Sequence, residues 1–282
     1  MKKWISSVFT IMVYLFLAAP IVVLVVFSFN ESKSLSVFSG GSVRWYLELL
    51  KDRNTLEAVR NSLLLAGSAS CIAAVMGTAA AWGMDRLHVK WFRKTLNTLT
   101  EIPMINPDII TGISFMLMFV YAGKFVTGFK GLNFFTMLAA HITFCLPYVI
   151  LQVLPKLQQM DRSMSEAAMD LGCTAFRAFI KVELPEMVPG IVTGTIMAFT
   201  MSLDDFVISY FTAGTGFETL PIRIYGMTKK TVTPKMYALA TIIFFVTLIL
   251  LITVNLIDHS EGSTKYKMKI KEEIIETQGG EC

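Results

Sequence analysis

The chain has 282 residues, of which 54% are hydrophobic and 16% charged, whereas a soluble domain carries about 25% charged residues. The formal net charge of +4 is small and scattered, without a Lys/Arg stripe interleaved with stacking aromatics, which argues against nucleic acid as a partner. Four cysteines with no CxxC pair argue against a disulfide framework and a zinc site, and the apolar residues fall in blocks long enough to cross a bilayer.

The N-terminal Met1-Lys2-Lys3-Trp4 precedes an apolar run too long for a signal-peptide core of roughly 7–15 residues, so it reads as an uncleaved first helix. Six spans are predicted, at residues 8–29, 61–84, 102–122, 131–154, 187–213 and 236–257. The expected fold is therefore all-α and polytopic, with a transmembrane domain over 1–258 and a polar tail over 259–282. An even number of spans puts both termini on one side of a cytoplasmic membrane. Lys2, Lys3 and the basic residues Arg86, Lys90, Arg93 and Lys94 favour the inside for that side.

In the second span Ser62, Ala66, Ser70, Ala74, Gly77 and Ala81 recur at helical spacing, and Gly190 and Gly194 do the same in the fifth. Such faces let helix backbones approach closely, either within the bundle or along a seam with a partner. His141 lacks a second His or carboxylate at helical spacing, so an interhelical hydrogen bond is expected of it and a metal site is not.

Acidic residues inside spans are costly and face water or a partner. Asp108 follows Pro107 in the third span, where it caps a helix start, gates the path or contacts substrate. Asp204 and Asp205 in the fifth span are followed by Phe206, Tyr210 and Phe211, a combination of carboxylates and aromatic faces suited to an organic cation. Two structural alternatives stand beside it. The helix could break near Ser202 with Asp204 capping a new helix, or one aspartate could pair with a basic group such as Arg223.

Between the fourth and fifth spans, in the loop 155–186, stand Glu166-Ala167-Ala168-Met169-Asp170-Leu171-Gly172 and, nine residues on, Val182-Glu183-Leu184-Pro185. Ser163 and Glu166 have capping-box spacing, Met164, Ala168, Leu171 and Ala175 share one helical face, Gly172 suits a helix end, and Pro185 is expected to stop a second short helix. Small alanines on a short helix outside the membrane make a docking element. This pattern resembles the EAA loop of ATP-binding-cassette importer permeases, with Val182 where that family usually has Ile. The resemblance implies a cytoplasmic loop that couples to a cassette ATPase through Glu166, Ala167, Ala168, Gly172, Leu184 and Pro185.

Further segments narrow the resemblance: Ser42-Val43-Arg44-Trp45-Tyr46, Asn61-Ser62-Leu63, Pro103 to Asp108, Leu203-Asp204-Asp205-Phe206 and Thr219-Leu220-Pro221 look like the second permease of spermidine/putrescine transporters. That implies a polyamine substrate, a cassette ATPase dimer, a homologous second permease and an extracytoplasmic binding protein as partners, besides membrane lipid. It also implies a substrate path at Asp204, Asp205, Phe206, Tyr210 and Asp108. Sibling importers for iron, opines or sulfate share the loop. A membrane receptor or scaffold would explain the spans alone. No phosphate-binding G-x-x-x-x-G-K-[ST] loop or catalytic motif occurs, so the chain is not expected to be an enzyme or to hold a cofactor, and ATP hydrolysis falls to a partner.

Overall fold

The computed structural model describes residues 2–32, 38–87, 89–125, 131–214, 216–229 and 234–279, with side chains except at residues 2, 3, 5, 90 and 257–279. The side chains of the predicted tail 259–282 therefore lie outside the description. Twelve α-helices and one π-turn are found among the described residues. In order they are α1 (Lys2–Ser28), α2 (Arg44–Lys51), α3 (Arg53–Arg86), α4 (Lys90–Ile105), α5 (Asp108–Phe125) and α6 (Phe134–Gln159). Then come α7 (Arg162–Asp170), α8 (Ala175–Ala178), the π-turn Phe179–Glu183, α9 (Leu184–Asp204), α10 (Val207–Thr212), α11 (Leu220–Thr228) and α12 (Pro234–Gly279).

Among the described residues six stretches are long and apolar enough to cross a membrane: Ser6–Ser28, Arg53–Arg86, Asp108–Phe125, Phe134–Gln159, Ala175–Asp204 and Pro234–Leu256. Several boundaries differ from expectation, those of the third and fifth spans through helix breaks. The third span starts at Asp108, not 102, because Ile102–Ile105 end a separate helix α4, and Asn106 before Pro107 takes an extended ψ of 139°. Proline's ring disfavours the α conformation in the residue before it. The fifth span starts earlier than 187 and ends at Asp204, with α10 a separate helix.

The chain divides into two compact units. One comprises Met1–Ser62 with Phe217–Leu248. Its core gathers Trp45, Leu49, Ala58, Leu220, Ala238 and Leu239, with Tyr46 and Ile224 packed against them. The Trp45 indole N–H donates to the Asn30 carbonyl at 2.6 Å, and the Leu220 N–H donates to Ser62 Oγ at 2.7 Å. Asp52 accepts from Lys235 Nζ at 2.5 Å and from the Thr55 hydroxyl at 2.9 Å. Burial opposes ionisation of Asp52, but the bonds from Lys235 and Thr55 outweigh it and bring its pKa down to about 2.

The other unit comprises Leu63–Gly216 with Ile249–Cys282, and α6 and α9 form its centre. Asn133 caps α6, accepting from the N–H groups of Phe135 at 2.8 Å and Thr136 at 3.3 Å, while the Thr136 hydroxyl accepts from the Asn133 N–H at 2.9 Å. Close approach depends on glycine. A Cβ at Gly190 would lie 2.7 Å from the Gln152 carbonyl oxygen, and one at Gly77 would lie 2.7 Å from Val149 Cγ1. At these positions the small-residue faces serve packing within the chain.

Candidate functional site

Helix α7 carries three of the six predicted coupling residues, Glu166, Ala167 and Ala168. Its N-cap is Asp161, whose carboxylate accepts from the Ser163 N–H at 2.9 Å, so the expected Ser163–Glu166 capping box is replaced. Asp161 lies two residues before Ser163 and, as an ionised acceptor, takes the orphan donor first, leaving Ser163 inside the helix. The bonds from Ser163 hold the Asp161 carboxyl below the usual carboxylate range. Gly172, with φ +89°, ends α7. Its N–H bonds to the Met169 carbonyl at 2.9 Å and the Cys173 N–H bonds to Ala168 at 3.1 Å, the paired bonds of a Schellman motif.

On this loop Glu166, Ala167 and Gly172 are exposed and Ala168 is half-buried. Met164, Leu171 (88% exposed) and Phe176 (71%) leave apolar surface uncovered. Leu184 is half-buried and Pro185 exposed at the start of α9. Pro185 does not stop a helix here, contrary to expectation. The π-turn before it bonds the Leu184 N–H to the Phe179 carbonyl, and where the bonding register changes Pro185's missing N–H is not needed.

The same loop is tied down by groups that the sequence pattern did not single out. Glu183, 3% exposed, accepts from Arg86, from the Trp82 indole N–H at 2.7 Å and from the Ser165 hydroxyl at 2.8 Å. The Arg86 guanidinium also lies 4.7 Å from the centre of the Trp82 ring. Buried Asp85 accepts from Arg162 at 2.9 Å, with Arg93 at 3.8 Å. The signal available in the sequence was an acidic residue between Val182 and Leu184, which requires a cation if it is buried.

The second predicted site lies where the fifth span is interrupted. Asp205 has an extended ψ of 123° between α9 and α10, and its carboxylate accepts from the N–H groups of Ile208 at 3.3 Å and Ser209 at 2.7 Å. The cap is thus Asp205, whereas the sequence pointed to Asp204. His141, fully buried, bridges the interruption: Nδ1 lies 2.8 Å from Ser202 Oγ and Nε2 3.0 Å from Ser209 Oγ. Its expected interhelical hydrogen bond is therefore formed twice. Asp205 Oδ2 lies 3.6 Å from the same Nε2.

Asp204 is exposed, Phe206 is half-buried and Tyr210 is 47% exposed. The Phe206 and Tyr210 rings lie 5.4 Å apart, and Phe211 lies 5.6 Å beyond Tyr210. Asp108 is exposed at the first turn of α5, within electrostatic reach of Asp205. Helix α5 packs on α10 through Gly112, where a Cβ would lie 3.0 Å from Phe211 Cδ2. The structure thus brings Asp108, Asp205 and the aromatic turn of α10 to one region of the unit. Arg223 pairs with Glu218 at 3.5 Å and Asp52 at 3.8 Å.

Six stretches long and apolar enough to cross a membrane, a capped loop helix and an interrupted fifth span fit a transporter's membrane subunit, and comparison with known proteins identifies that class. Residues 73–263 match the family model described as binding-protein-dependent transport system inner membrane component. The chain belongs to that family and is an ABC importer permease. It is 40% identical to the putrescine transport system permease protein PotI of Escherichia coli (strain K12), over 82% of each chain. It is 35% identical to the spermidine/putrescine transport system permease protein PotC of the same strain, over 89% of this chain and 94% of that protein. Among solved structures, a bacterial ABC transporter importing the acidic polysaccharide alginate aligns with a TM-score of 0.68 at 16% identity, over 92% of this chain and 95% of that one. An amino acid ABC transporter with histidines aligns at 0.55 and 20% identity, over 76% and 98%. These likenesses bear out the six-span, all-α permease fold.

Proposed function

We propose that this chain translocates polyamines, putrescine or spermidine, across the inner membrane with both termini in the cytoplasm. It works with a cassette ATPase dimer, a homologous second permease and an extracytoplasmic binding protein. The observation that carries the substrate is the helix interruption, where exposed Asp204 directly precedes a turn whose Phe206 and Tyr210 rings lie 5.4 Å apart. An ammonium group on an alkyl stem matches a carboxylate next to aromatic faces. The likeness to two polyamine permeases supports the same substrate class.

In this reading α7 is the coupling helix. Glu166, Ala167 and Ala168 present the face that meets the ATPase, Gly172 shapes its end, and Leu184 and Pro185 start the helix that the movement reaches. The test is uptake by proteoliposomes holding this chain with its ATPase, second permease and binding protein. Labelled putrescine or spermidine should accumulate with ATP, and sulfate or ferric iron should not; the reverse would transfer the chain to a sibling importer. Gly172→Val forces a β-branched residue to φ +89°, at a cost of about 1–2 kcal/mol or more. It should lower both ATPase co-purification and uptake, and wild-type values for both would remove the docking assignment.

A further inference from the structure

Helix α7 is tied to the rest of its unit by polar side-chain links. Its Ser165 donates to Glu183 in the π-turn, Glu183 accepts from Arg86 and Trp82 at the end of α3, and α7's own Arg162 donates to Asp85, the neighbour of Arg86. Two short polar links therefore run in parallel from α7 to one turn of α3. The π-turn is part of the arrangement. One extra residue in a helical turn rotates the rest of the helix by roughly 100°, and the position it serves here is Glu183. Farther along, α3 packs on α6 at Gly77 without room for a side chain, so a displacement of its end is passed to the core and not absorbed.

We infer that Glu183 is a positioning residue of the transport cycle: the buried carboxylate that transmits displacement of α7 to α3. It touches neither substrate nor nucleotide. The inference rests on the reading of α7 as the ATPase-docking helix. A residue needed only for folding would affect how much complex forms. A residue that transmits movement affects how much substrate each ATP carries.

The experiment uses the complete reconstituted transporter with putrescine, measuring complex yield and putrescine moved per ATP hydrolysed. Glu183→Gln keeps size and hydrogen bonding but releases Arg86, and the ratio should fall about fivefold or more. The double variant Glu183→Gln, Arg86→Gln strands no charge, so its yield should match wild type while its ratio stays low. Recovery of yield and ratio together in the double variant would overturn the inference, as would an unchanged ratio in Glu183→Gln or failure of both variants to assemble. A wild-type complex in which loaded binding protein does not stimulate ATP hydrolysis would overturn the docking reading itself, and this inference with it.

Discussion

The run from Ala175 to Thr212 departs from the α-helix twice, and the two departures are held by opposite chemistry. At Phe179–Glu183 a buried carboxylate meets a guanidinium, an indole and a hydroxyl, so any shift strands the buried charge of Glu183. At Asp205–Phe206 the bridge is His141 between two serines, and the Asp205 carboxylate accepts from backbone N–H groups with His141 Nε2 3.6 Å away. Hydroxyls rotate and hydrogen bonds between neutral groups reform at small cost, about 1 kcal/mol each. The first departure is a stiff link. By the same chemistry the second is expected to act as a joint that adjusts while its cap keeps the start of α10 in place.

The comparison is sharpened most by separating the two neighbouring aspartates. Asp204→Asn keeps size and removes charge at the exposed position, so uptake per complex should fall roughly ten- to a hundredfold, equivalent to about 1.5–3 kcal/mol, with normal complex yield. Asp205→Ala removes the α10 cap and should reduce yield by the equivalent of about 1 kcal/mol, with uptake falling in proportion. Unchanged uptake in Asp204→Asn would remove the substrate role. Equal loss of yield in both variants would make the pair structural.

Much of this was legible in the sequence, for identifiable reasons. Hydropathy along the chain gives the spans because every backbone group in lipid must be satisfied within its own helix. Gly172 was readable because a left-handed helix end favours glycine. Glu183 was not, since its charged partner lies 97 residues away and nothing local marks a side chain as buried. The start of α5 was hidden because apolar residues continue through Ile102–Ile105, so composition alone merged two helices. Asp204 and Asp205 share one composition and differ in backbone angle, which a sequence window does not contain.

A smaller effect is expected between the two departures, where α9 lies on α6. Gly190→Val places a branched side chain 2.7 Å from the Gln152 carbonyl and should cost about 1–3 kcal/mol, read as lower thermal stability of the purified complex. Stability equal to wild type would mean that α6 and α9 can separate there, and the stiff link would then end before the joint. Smaller again is His141→Ala. It removes both serine bridges but leaves the Asp205 cap, so a loss of about 1–2 kcal/mol is expected. His141→Asn can restore one of the two bonds and should recover part of that loss. A loss as large as that of a broken buried ion pair would show that this end is as rigid as the other.

The smallest effect, none on transport, is expected from labelling that assigns the two ends to opposite membrane faces. Cys173 follows α7 beside the stiff link, half-buried and in a water-facing loop by the present reading. Lys229, exposed just after α11, belongs to the loop that follows the fifth span. In a background with Cys71, Cys145 and Cys282 replaced by serine, an impermeant maleimide should modify Lys229→Cys from outside intact cells. It should reach Cys173 only after the membrane is opened, because an odd number of crossings separates the two loops. Thiols react as thiolates and need water, so an unreactive Cys173 in opened cells would report shielding by the docked ATPase, and removing that partner should expose it. Modification of both sites in intact cells would break the topology, and with it the assignment of the charged link to the side where ATP is hydrolysed.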